Sequence, residues 1–133
     1  MITPEYIVEL FDKYNITPKQ QVYLESDCGC AVGILSVEAN KGDVELSIKH
    51  LQTIFADIGN HFLLSSAFIF GIDEGFEEFG NMIGKESIKR LAHEYSKSYF
   101  LPFDRNQYVL GFIIGATTFQ KLLDLGKINL AEE

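Results

Sequence analysis

The sequence predicts an all-α fold, a compact bundle of about six helices, and three observations favour it. Apolar residues recur at helical spacing along most of the chain. Each proline stands where the first turn of a helix tolerates it, because no N–H is needed there. No Asn-Gly or Asp-Gly turn separates alternating runs, and the one competing strand is the short apolar stretch 30–37. At 133 residues, the chain is expected to form a single helical domain over residues 1–133.

Start and stop signals place the helices. Thr3-Pro4 begins the first, a capping box at Thr17-Pro18-Lys19-Gln20 begins the second, and Asp43 caps the third. Glycine-containing turns bound the fourth and the fifth. Asp104 is a good N-cap residue for the sixth, which ends at Gly126. The predicted helices cover residues 4–14, 18–38, 43–57, 61–79, 85–99 and 105–125.

Pairs of glycines four residues apart stand inside the second, fourth and sixth predicted helices. Each glycine in a helix costs about 1 kcal/mol relative to alanine, so the pairs need a structural reason. Two glycines one turn apart leave a flat notch, against which a neighbouring backbone can pack closely. The even spacing of the pairs predicts three tandem helical hairpins, each with a glycine-notched second helix. The structural glycines are Gly29, Gly33, Gly71, Gly75, Gly111 and Gly115.

One alternative stays open for the first pair, in which Asp27-Cys28-Gly29 ends one short helix and begins another. This segment continues as Cys30-Ala31-Val32-Gly33, and a later one reads Gly111-Phe112-Ile113-Ile114-Gly115. Together they resemble small uncharacterised bacterial helical proteins, which carry a Cys-x-x-Gly segment early and a Gly-Phe-x-x-Gly helix late. The resemblance rests on these short segments and implies no activity.

The charge balance excludes several partner classes. The net charge is −8 and the pI about 4.8, whereas nucleic-acid binding needs a basic surface. The longest apolar stretch, residues 62–72, is shorter than the ~20 residues that a membrane span needs. The first residues lack the basic and apolar regions of a signal peptide. We therefore expect a soluble cytoplasmic protein with no nucleic-acid and no membrane partner.

Candidate chemistry is sparse. Cys28 and Cys30 point apart on a regular helix, so they are interpreted as buried small hydrophobic residues. His50, His61 and His93 are isolated, and no metal-ligand spacing occurs. No cofactor and no metal site are expected, and without a catalytic motif the enzyme question stays open. Five aromatic residues are expected to fill the core, namely Phe76, Phe79, Tyr99, Phe100 and Phe103.

The strongest candidate site is a cluster of carboxylates on the fourth predicted helix, formed by Asp73, Glu74, Glu77 and Glu78. Helical spacing puts Asp73 over Glu77 and Glu74 over Glu78, so like charges repel along two rows. Such a face is either solvated, or it binds a basic partner, or it holds catalytic or metal-ligating carboxylates. We interpret these four residues as a partner-binding surface.

The function that follows is binding to another protein. A small acidic protein of this kind suits an interaction module or an inhibitor of the immunity type, whose charge steers it onto a basic target. The alternative is a small-ligand-binding protein or enzyme with a pocket between helices. Homodimerisation through an exposed apolar face also stays open.

Overall fold

The computed structural model describes residues 2–19, 28–56, 66–78 and 85–128. All regular secondary structure in these segments is helical, which confirms the all-α prediction and a bundle of about six helices. The helices are α1 (Pro4–Lys13), α2 (Ala31–Ala39), α3 (Val44–Ala56), α4 (Ser66–Glu78), α5 (Lys85–Ser96) and α6 (Pro102–Asp124). The predictions for Gln20, Asp27, His61 and Phe79 lie outside the described residues.

The helix α1 begins and packs as its sequence indicates. The Thr3 side chain accepts a hydrogen bond from the backbone N–H of Tyr6 at 3.1 Å, and proline follows in the first turn. This cap satisfies one of the N–H groups that a helix leaves without an internal partner. The apolar stripe of Ile7, Leu10 and Phe11 is buried in the core.

The helix α2 differs most from its prediction. It does not begin at Pro18 but at Ala31, with Cys30 as its N-cap residue. Gly29 therefore lies outside the helix, and the prediction of a glycine notch on the second helix is wrong. A Cβ on Gly33 would stand 2.7 Å from the backbone of Cys28, so Gly33 makes room for the chain that enters the same helix. The competing strand over 30–37 is also wrong, because α2 is helical and buried along residues 31–37.

Small polar residues join α2 to α3. Asp43 caps α3 as predicted, with its Oδ1 accepting from the Leu46 N–H at 3.0 Å. Ser36 and Ser47 are fully buried and face each other across the two helices. The Ser47 hydroxyl donates to the Ser36 carbonyl oxygen at 3.2 Å. Short side chains that find backbone partners let the two helices approach without leaving a polar group unsatisfied.

The helices α4 and α6 meet backbone to backbone through their glycines. A Cβ on Gly71 would stand 2.8 Å from the Phe112 nitrogen, and one on Gly111 would stand 3.0 Å from the Ile72 nitrogen. Gly75 and Gly115 repeat this relation one turn further along, where a Cβ would stand 2.9 Å from a carbonyl carbon of the opposite helix. Real Cβ atoms essentially never come so close to other atoms, so only glycine fits at these positions.

The pairing of helices differs from three tandem hairpins. α1 packs on α2 and α5 packs on α6, as consecutive hairpin partners do. α3, however, packs on α2, while the main neighbour of α4 is α6. The notched helices thus pack on each other rather than each on its preceding helix. Among the helices that the structure describes, none is long and apolar enough to cross a membrane.

The sequence predicted the C-terminal end of α6 correctly and its N-terminal cap wrongly. The helix begins at Pro102 with Leu101 at the N-cap position, so the prediction that Asp104 caps it is wrong. Asp104 lies in the first turn instead, where its charge suits the positive end of the helix. At the other end, Gly126 takes a φ of 72° and the Lys127 N–H donates to the Leu122 carbonyl at 2.9 Å. This is the glycine-terminated helix end that the sequence indicates.

Candidate functional site

The packing of α4 on α6 decides what each of the four acids contacts. Glu74 borders α6, because its carboxylate accepts a hydrogen bond from the Tyr108 hydroxyl. Asp73 is half-buried and lies near Cys30, whereas Glu77 is the more exposed of the two and is only partly covered. Glu78 is half-buried at the end of the described part of α4. The four residues therefore form two rows with different surroundings rather than one uniform solvated face.

Asp73 and Glu77 share a hydrogen bond along the first row. Burial, together with the negative charge of Glu77, raises the pKa of Asp73 to about 8. At neutral pH Asp73 is therefore largely protonated, and its carboxyl group donates to the Glu77 carboxylate. Partial burial also raises the pKa of Glu77, and the charges of Glu78 and Glu74 act in the same direction. The charged groups that act on this pair are thus other carboxylates.

In the second row, Glu74 lies beside the phenol groups of Tyr108 and Tyr99. The Tyr108 side chain is buried, and its hydroxyl donates to the carboxylate of the exposed Glu74. Burial and the hydrogen bond to Glu74 raise the pKa of Tyr108 far above its usual value, so the phenol stays neutral. Tyr99 packs on Tyr108 with ring centroids 5.3 Å apart. Burial raises the pKa of Tyr99 as well, followed by the charges of Glu74 and Asp104.

The two cysteines are buried, free thiols. Burial, and secondarily the charge of Asp73, raises the pKa of Cys30 to about 12. The Cys30 sulfur accepts a hydrogen bond from the Gly33 N–H at 3.3 Å, which is its role as a helix cap. A thiol in this state is a poor nucleophile and a poor metal ligand. Both cysteines are buried as the sequence analysis expects, although neither lies within a helix.

The described segments were searched for side chains that could together hold a metal ion. No group of three or more His, Cys, Asp or Glu side chains there is arranged to hold a metal ion. His50 lies 3.3 Å from the Asn40 amide through its Nδ1, and His93 is exposed on α5. A groove of about 280 Å³ runs between α5 and α6 and holds none of the four acids. Its lining residues are Ile88, Lys89, Ile113, Thr117 and Gln120.

A second polar cluster, centred on the single carboxylate of Glu38, joins α1 to α2 and was not predicted from the sequence. Glu38 accepts hydrogen bonds from the hydroxyl groups of Tyr6 at 3.2 Å and of Tyr14, and from the Lys13 ammonium at 3.0 Å. The bonds from Tyr14 and Lys13 hold the pKa of Glu38 below its usual value. The Glu38 carboxylate already accepts three hydrogen bonds, so it joins α1 to α2 and has little remaining capacity to bind a ligand. No local pattern signals it, because the donors lie 24 to 32 residues away.

The prediction that aromatic residues fill the core holds only in part. Phe76 is buried and packs edge-on against Phe119, and Tyr99 is half-buried. For Phe100 and Phe103 the prediction is wrong, because their side chains are 89% and 63% exposed. Phe100 lies in the connection between α5 and α6, and Phe103 lies in the first turn of α6. Helical spacing alone does not reveal this exposure. The predicted helices covered residues 85–99 and 105–125, whereas α5 ends at Ser96 and α6 begins at Pro102.

We compared the chain with models of protein families, with curated proteins and with solved structures, and none of them matches it. The class that the fold defines is a small all-α bundle. No family is assigned within that class, and the resemblance to uncharacterised bacterial proteins stays a prediction. A function can therefore be inferred only from the acidic residues of α4 and their surroundings.

Proposed function

We propose that this protein acts by binding a basic protein partner through the acidic face of α4. The binding residues are Asp73, Glu74, Glu77 and Glu78. The observation that carries the proposal is the hydrogen-bonded pair of Asp73 and Glu77, whose surroundings are negative. An interaction or inhibitor module of the immunity type is the kind of protein that such a face suits.

A basic partner would supply the positive charge that the pair of Asp73 and Glu77 lacks. An ammonium or guanidinium group beside Asp73 and Glu77 favours their charged forms, so it lowers both pKa values and releases a proton. Binding should therefore strengthen as the pH rises towards the pKa of Asp73, about 8. The net charge of −8 adds long-range attraction, which accelerates encounter with a basic target and weakens in salt.

Two further inferences, on location and on origin, belong to this proposal. We infer a cytoplasmic location, because free buried cysteines suit a reducing compartment. A bacterial origin is inferred from the resemblance of the two glycine-containing segments alone. Neither inference affects the test of binding.

The test uses a polar lysine–serine peptide as the basic probe and a glutamate–serine peptide as its control. Calorimetry at pH 6 and pH 8, in low and in high salt, measures the affinity. We expect binding of the basic peptide only, stronger at pH 8 and weaker in high salt. In Asp73→Asn with Glu77→Gln, the affinity should fall about tenfold and the pH dependence should disappear.

The matched control replaces acids outside the proposed surface, with Glu9→Gln on α1 and Glu45→Gln on α3. Both residues are exposed, so the control removes two carboxylates, and at least as much negative charge, from another part of the molecule. Its affinity for the lysine–serine peptide should change less than about twofold. An equal loss in both double variants would show that only net charge matters, and would refute the acidic face as a site.

A further inference from the structure

The connection between α5 and α6, together with the first turn of α6, presents three apolar side chains to solvent. Phe100, Leu101 and Phe103 are 89%, 53% and 63% exposed. We call these residues the aromatic corner. Single exposed apolar residues are common on protein surfaces, whereas three within four positions are a local concentration that needs a reason. Exposed aromatic residues are also the side chains that most often anchor protein interfaces.

The aromatic corner is held rigidly from both sides. The Tyr99 N–H donates to the Ser96 carbonyl at 3.0 Å, and the Tyr99 ring packs on Tyr108. On the other side, Pro102 fixes the backbone, and the Arg105 N–H donates to the Leu101 carbonyl at 3.0 Å. A surface that is already ordered loses little conformational entropy when it binds.

The N-cap residue of α6 is a leucine, which does not stabilise the start of a helix. Leu101 occupies the N-cap position and makes no side-chain hydrogen bond there. Serine, threonine, aspartate or asparagine would stabilise this position, and leucine does not. An apolar residue that departs from the local rule and stays 53% exposed is better explained by a contact outside the chain.

Two carboxylates border the aromatic corner. Glu74 accepts a hydrogen bond from Tyr108 on α6, and Asp104 follows the corner in sequence. The Tyr108 ring packs on Tyr99, which precedes Phe100, and the charges of both carboxylates act on the Tyr99 phenol. The surroundings of the patch thus include the carboxylates of Glu74 and Asp104 and the guanidinium of Arg105, in a molecule whose net charge is −8. An apolar surface that also carries positive charge complements such a patch better than an acidic one does.

We propose that the aromatic corner docks a basic amphipathic segment of the partner, with Phe100 and Phe103 against its apolar face and its lysines or arginines beside Glu74 and Asp104. This inference rests on the proposed function, because it concerns the same basic partner. A second copy of the chain fits less well, since it would bring a second set of acids and another net charge of −8 to the interface.

The test compares two basic peptides of equal length and charge. One is a lysine–leucine peptide that forms an amphipathic helix, and the other is the polar lysine–serine peptide. We expect the wild-type protein to bind the lysine–leucine peptide about tenfold more tightly. In Phe100→Ser with Phe103→Ser this preference should vanish, while the affinity for the lysine–serine peptide stays the same. Amide shifts in nuclear magnetic resonance spectra should locate the lysine–leucine peptide at residues 99–104.

The control variant replaces two other exposed leucines, with Leu46→Ser and Leu125→Ser. These residues are 49% and 59% exposed and lie on other parts of the molecule. The control should keep the full preference for the lysine–leucine peptide. All the substituted side chains are largely exposed, so thermal unfolding should show each variant folded.

The outcomes separate the two proposals. If neither basic peptide binds, the proposed function fails and this inference fails with it. If the lysine–serine peptide binds but the corner variant keeps its preference for leucine, only the aromatic corner is refuted. Equal binding of a glutamate–leucine peptide would overturn the choice of a basic partner. A wild-type dimer in sedimentation equilibrium that dissociates in the corner variant would instead assign the surface to a second copy.

Discussion

Gly75 of α4 lies directly against the backbone of Phe112 in α6, with no space for a side-chain atom between them. In Gly75→Ala the new methyl group would meet the Phe112 carbonyl and push the two helices apart. We expect the free energy of unfolding to fall by about 1–3 kcal/mol, as overpacking of a rigid contact does. Urea denaturation followed by circular dichroism measures this change.

The sign of the effect is the decisive observation for Gly75→Ala. At an unconstrained helix position, exchanging glycine for alanine stabilises a protein by about 1 kcal/mol. Gly111→Ala should destabilise in the same way as Gly75→Ala, since a Cβ there would meet the Phe68 carbonyl. The exposed control Asn106→Ala on α6 should have little effect. A gain in stability in either glycine variant would contradict the close backbone contact.

The protonated state of Asp73 predicts an unusual dependence of stability on pH. Its pKa is raised from 3.8 to about 8 in the folded protein, so the folded state holds the proton more tightly than the unfolded state. Between these two values the contribution of Asp73 to stability falls as the pH rises, and above about 8 it stays at its lowest. Asp73→Asn removes this penalty while keeping a donor for Glu77. The variant should therefore gain about 1–3 kcal/mol relative to wild type at pH 8.

Thermal unfolding between pH 4 and pH 9 measures the Asp73 effect. The difference between Asp73→Asn and wild type should be small near pH 4, where both carry a neutral group, and should grow towards pH 8. The exposed residue Glu9 provides the control through Glu9→Gln, which should show no such growth. Parallel pH curves for wild type and Asp73→Asn would mean that Asp73 ionises normally.

Local signals in the sequence located several helix ends, and long-range contacts explain where they failed. Thr3, Asp43 and Gly126 act within one turn of their own position, so their roles follow from short patterns. The start of α2 depends on how the chain reaches the helix near Cys28, which no short pattern encodes. The exposure of Phe100 depends likewise on where the chain reverses.

In the candidate site too, contacts between residues close in sequence could be predicted, and contacts between distant residues could not. The two rows of acids follow from helical spacing, and the hydrogen bond between Asp73 and Glu77 joins residues four positions apart. The partner of Glu74 could not be predicted, because Tyr108 is 34 residues away and meets it only through the glycine contact of α4 with α6. The prediction of one acidic surface therefore overlooked that Glu74 already has a structural partner.

The hydrogen bond between Tyr108 and Glu74 should stabilise the contact of α4 with α6. Tyr108→Phe removes the donor but keeps the buried ring, so the loss should be about 1 kcal/mol. Glu74→Gln, which leaves a neutral acceptor, should lose less. A double-mutant cycle with urea denaturation isolates the coupling between the two side chains. Additive effects in the double variant would show that the two groups do not interact.

The thiol of Cys30 should be unreactive in the folded protein. Its side chain is only 3% exposed and burial raises its pKa to about 12, so the nucleophilic thiolate is rare at pH 8. In a Cys28→Ser variant, which leaves Cys30 as the one cysteine, labelling with a disulfide reagent should be slow in buffer and complete in denaturant. The slow rate should increase with sub-denaturing urea, because labelling then requires opening of the structure around the start of α2. Fast labelling that urea does not change would place Cys30 at the surface and would contradict both its burial and its role as the helix cap.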